Sequence, residues 1–197
     1  MDTIDSAALA RALRRRYEWG RAWRAMLGFA PACLLVLIAA YFSPRSVSVL
    51  LLGGVLFGNG VLLLWYGQGL QRAVLPGVLA GLIPLSSALC ANHFGHVCTG
   101  SACVSLCLPA CILGGVSAGI VLGYWAQRRL AAGVRGASDP ARRRPGTLGF
   151  LLAASSVALL TGALGCGCIG YSGVVGLLAG YSIGLVPSVL KLAIRHR

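Results

Sequence analysis

The sequence predicts an all-α fold, a polytopic membrane helix bundle with six transmembrane helices and both termini in the cytoplasm. Three observations predict it. Of the 197 residues, 57% are apolar and 11% are charged, with a mean hydropathy of +0.82; a soluble domain carries roughly a quarter charged residues. The apolar residues fall into six runs, each near the ~17–25 residues that take a helix across a bilayer. The 17 Lys and Arg against 4 Asp and Glu, a net charge of +13, sit beside those runs. They read as orientation signals in a membrane rather than as a footprint for nucleic acid, so no direct nucleic-acid binding is expected.

Residues 1–24 form a basic N-terminal segment on the cytoplasmic side. Ile4, Leu9, Leu13 and Tyr17 recur at near-helical spacing among Arg11, Arg14, Arg15, Arg16, Arg21 and Arg24. That pattern is an amphipathic helix on a membrane surface, with Asp2, Thr3 or Asp5 to cap it. Its arginines serve as an orientation anchor or as a contact for a partner or lipid. The segment is too long and too charged for a signal-peptide n-region, so the first apolar run is expected to be retained.

The bundle covers residues 25–192, and residues 193–197 are a basic cytoplasmic tail. The first run is Ala25–Phe42, opened by Trp23 and closed by Tyr41. The second, Val47–Tyr66, ends on Trp65 and Tyr66. The third, Val74–Ala91, carries Pro76 and Pro84, and the fourth, Val104–Ala126, carries Pro109 and ends on Tyr124 and Trp125. Membrane helices tolerate such prolines because neighbouring groups re-satisfy the freed carbonyls, and aromatic rings collect at the two interfaces. The fifth run is Thr147–Leu164, and the sixth, Ser172–Leu192, follows Tyr171.

Orientation follows from the cations. The N-terminal segment has six arginines, the connection at Gly67–Arg72 has Arg72, and Gln127–Gly146 has Arg128, Arg129, Arg135, Arg142, Arg143 and Arg144; the C-terminus adds Lys191, Arg195 and Arg197. The three intervening connections hold only Arg45. The positive-inside rule then places both termini in the cytoplasm of a bacterial inner membrane and the other connections outside.

Glycine is abundant, 28 in all, and much of it is spaced by four: Gly115, Gly119 and Gly123; Gly176, Gly180 and Gly184; Gly54 and Gly58; Gly77 and Gly81. Small residues at that spacing let helices approach closely where lipid provides no hydrophobic drive. Tight packing within the bundle is the reading favoured over a pore lined by glycine, and an oligomer stays open.

The stretch Cys90–Cys111 holds five of the eight cysteines and two of the three histidines. Cys103, Cys107 and Cys111 recur at i, i+4, i+8, which on a continuous helix gives one thiol-bearing face leading toward Gly115; Cys90 lies across the same connection. His93, His96, Cys98 and Cys103 form the outer group, and Cys166 and Cys168 lie in the next outer connection. Imidazole with thiolate suits Zn²⁺ or Cu⁺. Pairing of the thiols in an oxidising outer space competes directly, by Cys98–Cys103 or by a bridge from either to Cys166 or Cys168. A third reading makes them small packing residues. Connectivity does not follow from sequence.

The interiors of the apolar runs lack the charged side chains that ion-coupled carriers use as relays. No carboxylate pair, HExxH or Ser–His–Asp set is present, and Asp2, Asp5, Glu18 and Asp139 all fall in cytoplasmic segments, so an enzyme is not expected.

Cys103 with Ser105-Leu106-Cys107-Leu108-Pro109, the basic segment Arg128–Arg144 leading into Pro145-Gly146-Thr147, and Cys166 and Cys168 after Thr161-Gly162-Ala163-Leu164-Gly165 resemble the six-helix NrsF-like anti-sigma factors. That resemblance implies a cytoplasmic face that sequesters an extracytoplasmic-function sigma factor and releases it after chemistry at outer cysteines. The chain carries more thiols and histidines than that two-cysteine pattern. The functional expectation is therefore a membrane sensor or regulator. A small carrier or channel for soft metal ions, with Cys103, Cys107 and Cys111 as a stepwise path, and a disulfide-stapled structural membrane subunit are the alternatives.

Overall fold

The computed structural model describes residues 6–42, 46–66, 70–94, 96–99, 102–105, 107–135, 147–166 and 171–195, of which 6–8, 46, 66, 92–94, 96–99, 102–105, 130–135, 147 and 192–195 are described by backbone alone. The described elements are α1 (Ser6–Phe29), α2 (Pro31–Phe42), α3 (Ser46–Tyr66), α4 (Gln71–Phe94), β1 (His96–Thr99), β2 (Ala102–Ser105), α5 (Cys107–Arg135), α6 (Thr147–Cys166) and α7 (Tyr171–Arg195). Five helices are long and apolar enough to cross a membrane, or six if α1 and α2 count as one bent span. Large apolar side chains such as Leu51, Leu113, Leu148 and Ile183 stand on the outside of the bundle. Water would penalise such a surface; acyl chains would not. These are the features of a multi-pass membrane protein.

The first apolar run is not one straight helix. Proline lacks the N–H that would continue the ladder, and α1 stops at Phe29 with the chain bending 43° into α2 at Pro31. A tight turn marks the break, with Ala30 N–H donating to Leu27 O (3.3 Å) and Cys33 N–H to Ala30 O (2.9 Å). The twelve residues of α2 span only about 18 Å. Both pieces nevertheless follow α3 antiparallel, Phe29 packing at Gly60 and Val36 at Gly53.

The other helices pair in a specific way. α5 and α7 run parallel: Gly115 lies against Leu177 and Tyr181, Gly119 against Tyr181 and Gly184, and Gly123 against Ser188. α4 and α6 also run parallel, with Gly77 on Ala154 and Val157, Gly81 on Ala158 and Thr161, and Gly165 on Leu85 and Ala88. α4 meets α5 antiparallel where Gly114 faces Pro84 and Ser87. α6 sits innermost, touching α2, α3, α4, α5 and α7, and its whole last stretch from Thr161 to Cys166 is buried.

Polar groups inside are satisfied locally. Thr161 donates to Val157 O (2.8 Å), Asn59 Nδ2 to Ser156 Oγ (3.0 Å) and Tyr181 Oη to Ser155 Oγ (2.6 Å). Among the described residues no buried side-chain nitrogen or oxygen lacks a partner, as a medium without water demands.

Two expectations are corrected here. The fourth apolar run does not begin as helix: residues Ala102–Ser105 form β2, and α5 starts at Cys107. Gly54 and Gly58 do not pack a neighbour, since a Cβ at either would meet nothing within 4 Å; on α3 the close contacts fall at Gly53 and Gly60 instead. The remaining helices start and stop within about three residues of the apolar runs, α4 and α7 extending three further at their ends.

Candidate functional site

The bundle has two unlike ends. At one, α4 begins, α5 ends and α6 begins: Arg129 donates to Arg72 O (3.2 Å) and stacks 4.2 Å over the Phe150 ring, while Arg128 covers the Tyr124 ring at 4.8 Å. At the other, α4 ends, α5 begins and α6 ends, and there the cysteines gather. Helix direction alone accounts for this, because cations and thiols occupy alternate connections.

The centre of the thiol end is a disulfide between Cys111 and Cys166, with Cα atoms 6.2 Å apart and a sequence separation of 55. Cys111 lies in the second turn of α5 and Cys166 is the last residue of α6. Both are fully buried, 0% exposed, in a small cluster with Ala88, Ala163 and Leu177. Gly162 and Gly165 of the same α6 stretch seat it closely on α4, against Pro84 and Ala88. The bond therefore joins the α5–α7 pair to the α4–α6 pair.

The expected single thiol face divides. Cys107 and Cys111 are one turn apart on α5, but Cys103 belongs to β2, so the i, i+4, i+8 stripe is not one helical face. Cys111 is spent in the disulfide, while Cys33, Cys90 and Cys107 are free thiols. Cys90 is exposed near the end of α4 and Cys107 is half-buried. Cys33 lies on α2, away from the others.

β1 and β2 form an antiparallel ribbon over this end, pairing His96 with Ser105, Val97 with Val104, Cys98 with Cys103 and Thr99 with Ala102. Residues directly opposite have Cα atoms about 4.5–5.5 Å apart, inside the roughly 4.4–6.8 Å that a disulfide spans. The backbone thus brings Cys98 and Cys103 together in register. The side chains of His93, His96, Cys98 and Cys103, and all of Cys168, lie outside the described residues, as do Arg142, Arg143 and Arg144. Among the described residues no group of three or more His, Cys, Asp or Glu could hold a metal.

The glycine faces of α5 and α7 meet backbone directly. A Cβ at Gly115 would stand 2.5 Å from Leu177 O, and one at Gly119 2.6 Å from Tyr181 O; Gly180 and Gly184 abut Ile112 O and Val116 O, and Gly176 meets Leu108 at 3.1 Å. Below Cys111, α5 therefore runs into solid backbone packing with α7. On α1, Arg14, Arg15 and Arg16 are exposed, Arg14 pairing with Glu18 at 3.0 Å; a pair this open contributes little to stability.

The partner of Cys166 was the feature that spacing could not identify, since sequence puts Cys111 well inside an apolar run and nothing marks it over Cys98 or Cys103. The ribbon did leave a signal: Gly100-Ser101 between short β-branched and cysteine-containing runs is a two-residue hairpin pattern. Compared with known proteins, the chain matches no family model, no curated protein and no solved structure.

Proposed function

We propose that this chain is a sensor or regulator of a bacterial inner membrane, with six spans and both termini in the cytoplasm. Its outer thiols respond to redox state or soft metal ions, and its cytoplasmic face holds a regulatory partner. The observation that carries this reading is the Cys111–Cys166 disulfide joining the two parallel helix pairs where the other thiols gather. Making or breaking it changes what holds the pairs together at that end. α5 runs from this bond to Arg129, which leans on Arg72 and Phe150 of α4 and α6. A shift of α5 against α6 would therefore be felt among the basic residues at the far end. Such a switch works only if the partner binds the two packings with different affinity.

The exposed arginines of α1 suit an acidic partner surface, and the NrsF-like resemblance names its class, an extracytoplasmic-function sigma factor. The test is recovery of cytoplasmic partners on the tagged full-length protein, purified oxidised, reduced, and as the Cys111→Ser/Cys166→Ser variant. Retention of an acidic partner is expected to differ between the oxidised protein and the other two, the reduced protein and the variant behaving alike. No partner, or equal retention in all three, overturns the regulatory reading.

One observation favours a second reading. Both disulfide cysteines are 0% exposed, as befits a staple that simply holds a structural membrane subunit together. In that case reduction lowers stability and alters no association. The carrier reading draws no support from α5, whose thiols give way to closed packing at Gly115 and Gly119.

A further inference from the structure

With Cys111 and Cys166 bonded to each other, the thiol chemistry open to a ligand among the described residues at this end belongs to Cys90 and Cys107. They sit on different helices, 17 residues apart in sequence, and helix register brings them level. α4 and α5 are antiparallel, and a Cβ at Gly114 would stand 2.7 Å from Pro84 Cα and 2.8 Å from Ser87 Oγ. One turn nearer the thiol end, Ser87 Oγ donates to Ala110 O at 3.2 Å. One further turn, three residues on along α4 and three back along α5, reaches Cys90 and Cys107. Because Gly114 has no side chain, the two backbones are held close just below that level. We propose that Cys90 and Cys107 form a two-thiolate site for a soft monovalent cation of the Cu(I) class.

The donor set selects the ion. Zn²⁺ takes four ligands, closed around it in structural sites, and no third His, Cys, Asp or Glu joins this pair among the described residues. Thiolate is a soft donor and favours Cu(I), a filled-shell ion that is content with two sulfurs. Burial fits the same occupant: exposed Cys90 can receive the ion, and half-buried Cys107 can hold it away from water on one side. Binding replaces two S–H bonds by two S–Cu bonds. Two protons are released, the bound unit carries one net negative charge, and no electron is transferred, so the pH dependence follows proton release.

The ion would clamp α4 to α5, while the neighbouring disulfide ties α5 to α6. The site itself stands apart from the regulatory reading; only what its occupation does to a partner rests on that reading.

The experiment uses the full-length protein in detergent micelles, in a Cys98→Ser/Cys103→Ser/Cys168→Ser background, competing for Cu(I) with a chromophoric Cu(I) chelator. One equivalent per chain is expected to leave the chelator. Cys90→Ser and Cys107→Ser should each weaken uptake by more than about 100-fold, a loss that even an outer-shell partner can cause, and Cys33→Ser should leave it unchanged. Peptide mapping without reductant, showing Cys111–Cys166 intact, establishes that each variant has folded. No uptake by the background protein, or uptake indifferent to Cys90→Ser and Cys107→Ser, overturns the site. Intact uptake with unaltered partner retention would overturn the regulatory reading and leave the site standing.

Discussion

A methyl group at Gly180 has nowhere to go. Its Cβ would press into the backbone carbonyl of Ile112, and backbone cannot rotate aside as a side chain can. Overpacking of this kind costs about 1–3 kcal/mol, so Gly180→Ala should lower the unfolding midpoint in detergent clearly. Gly54→Ala, at a position with nothing within 4 Å, should leave it within about 0.5 kcal/mol of the parent, as surface changes do. Both glycines belong to runs spaced by four, so spacing alone could not rank them. What separates them is which face of the helix meets a neighbour, and that depends on how the helices are assembled. Cys111 makes the same point about partners. Cys111→Ser removes a cross-link between positions 55 apart in sequence, for which the chain-entropy account gives about 4 kcal/mol. The variant should melt earlier, and Cys166 should become a free thiol on alkylation after denaturation.

At the scale of elements, the spans were largely legible because membrane length and apolar composition are read directly from the chain. α3, α6 and α7 start and stop within about three residues of the apolar runs that announce them. The misreadings came where two signals competed. Around Cys103, thiols at helical spacing outweighed the Gly100-Ser101 hairpin pattern, and the hairpin is what the backbone adopts. Around Pro31, an unbroken apolar run concealed a residue that ends a helix. The bend there is testable. Pro31→Ala restores the missing N–H and should merge α1 with α2. Straightening a 43° bend between arms of about 30 and 18 Å lengthens the end-to-end distance by about 3 Å. Spin labels at Arg11 and Phe42 should report that increase; an unchanged distance would assign the bend to packing against α3 rather than to the proline.

At the scale of the molecule, hydropathy marks the apolar helices but does not say that α5 chooses α7 and α4 chooses α6. Parallel pairing places elements from different hairpins side by side, and only small residues allow it: Gly115, Gly119, Gly180 and Gly184 in one seam, Gly77, Gly81 and Gly165 in the other. Among the described residues, the disulfide with Cys90 and Cys107 lies at one end of the bundle and Arg72, Arg128 and Arg129 at the other. α4 is one of the helices that connect the two, with exposed Gln71 at its start and exposed Cys90 nineteen residues later, a rise of about 28 Å. That is close to the ~30 Å of a bilayer's hydrocarbon core, so the two positions should lie at opposite interfaces. In a protein whose other free thiols are changed to serine, a membrane-impermeant maleimide applied to intact spheroplasts should modify Cys90. A Gln71→Cys substitution in a further Cys90→Ser background should resist the reagent until the membrane is permeabilised. The opposite pattern would reverse the sidedness inferred from the arginines and move the thiol end into the reducing cytoplasm. There a disulfide would not persist, and both the redox reading and the outer Cu(I) site would fail together. Modification of both positions in intact cells would instead mean that α4 does not cross the bilayer.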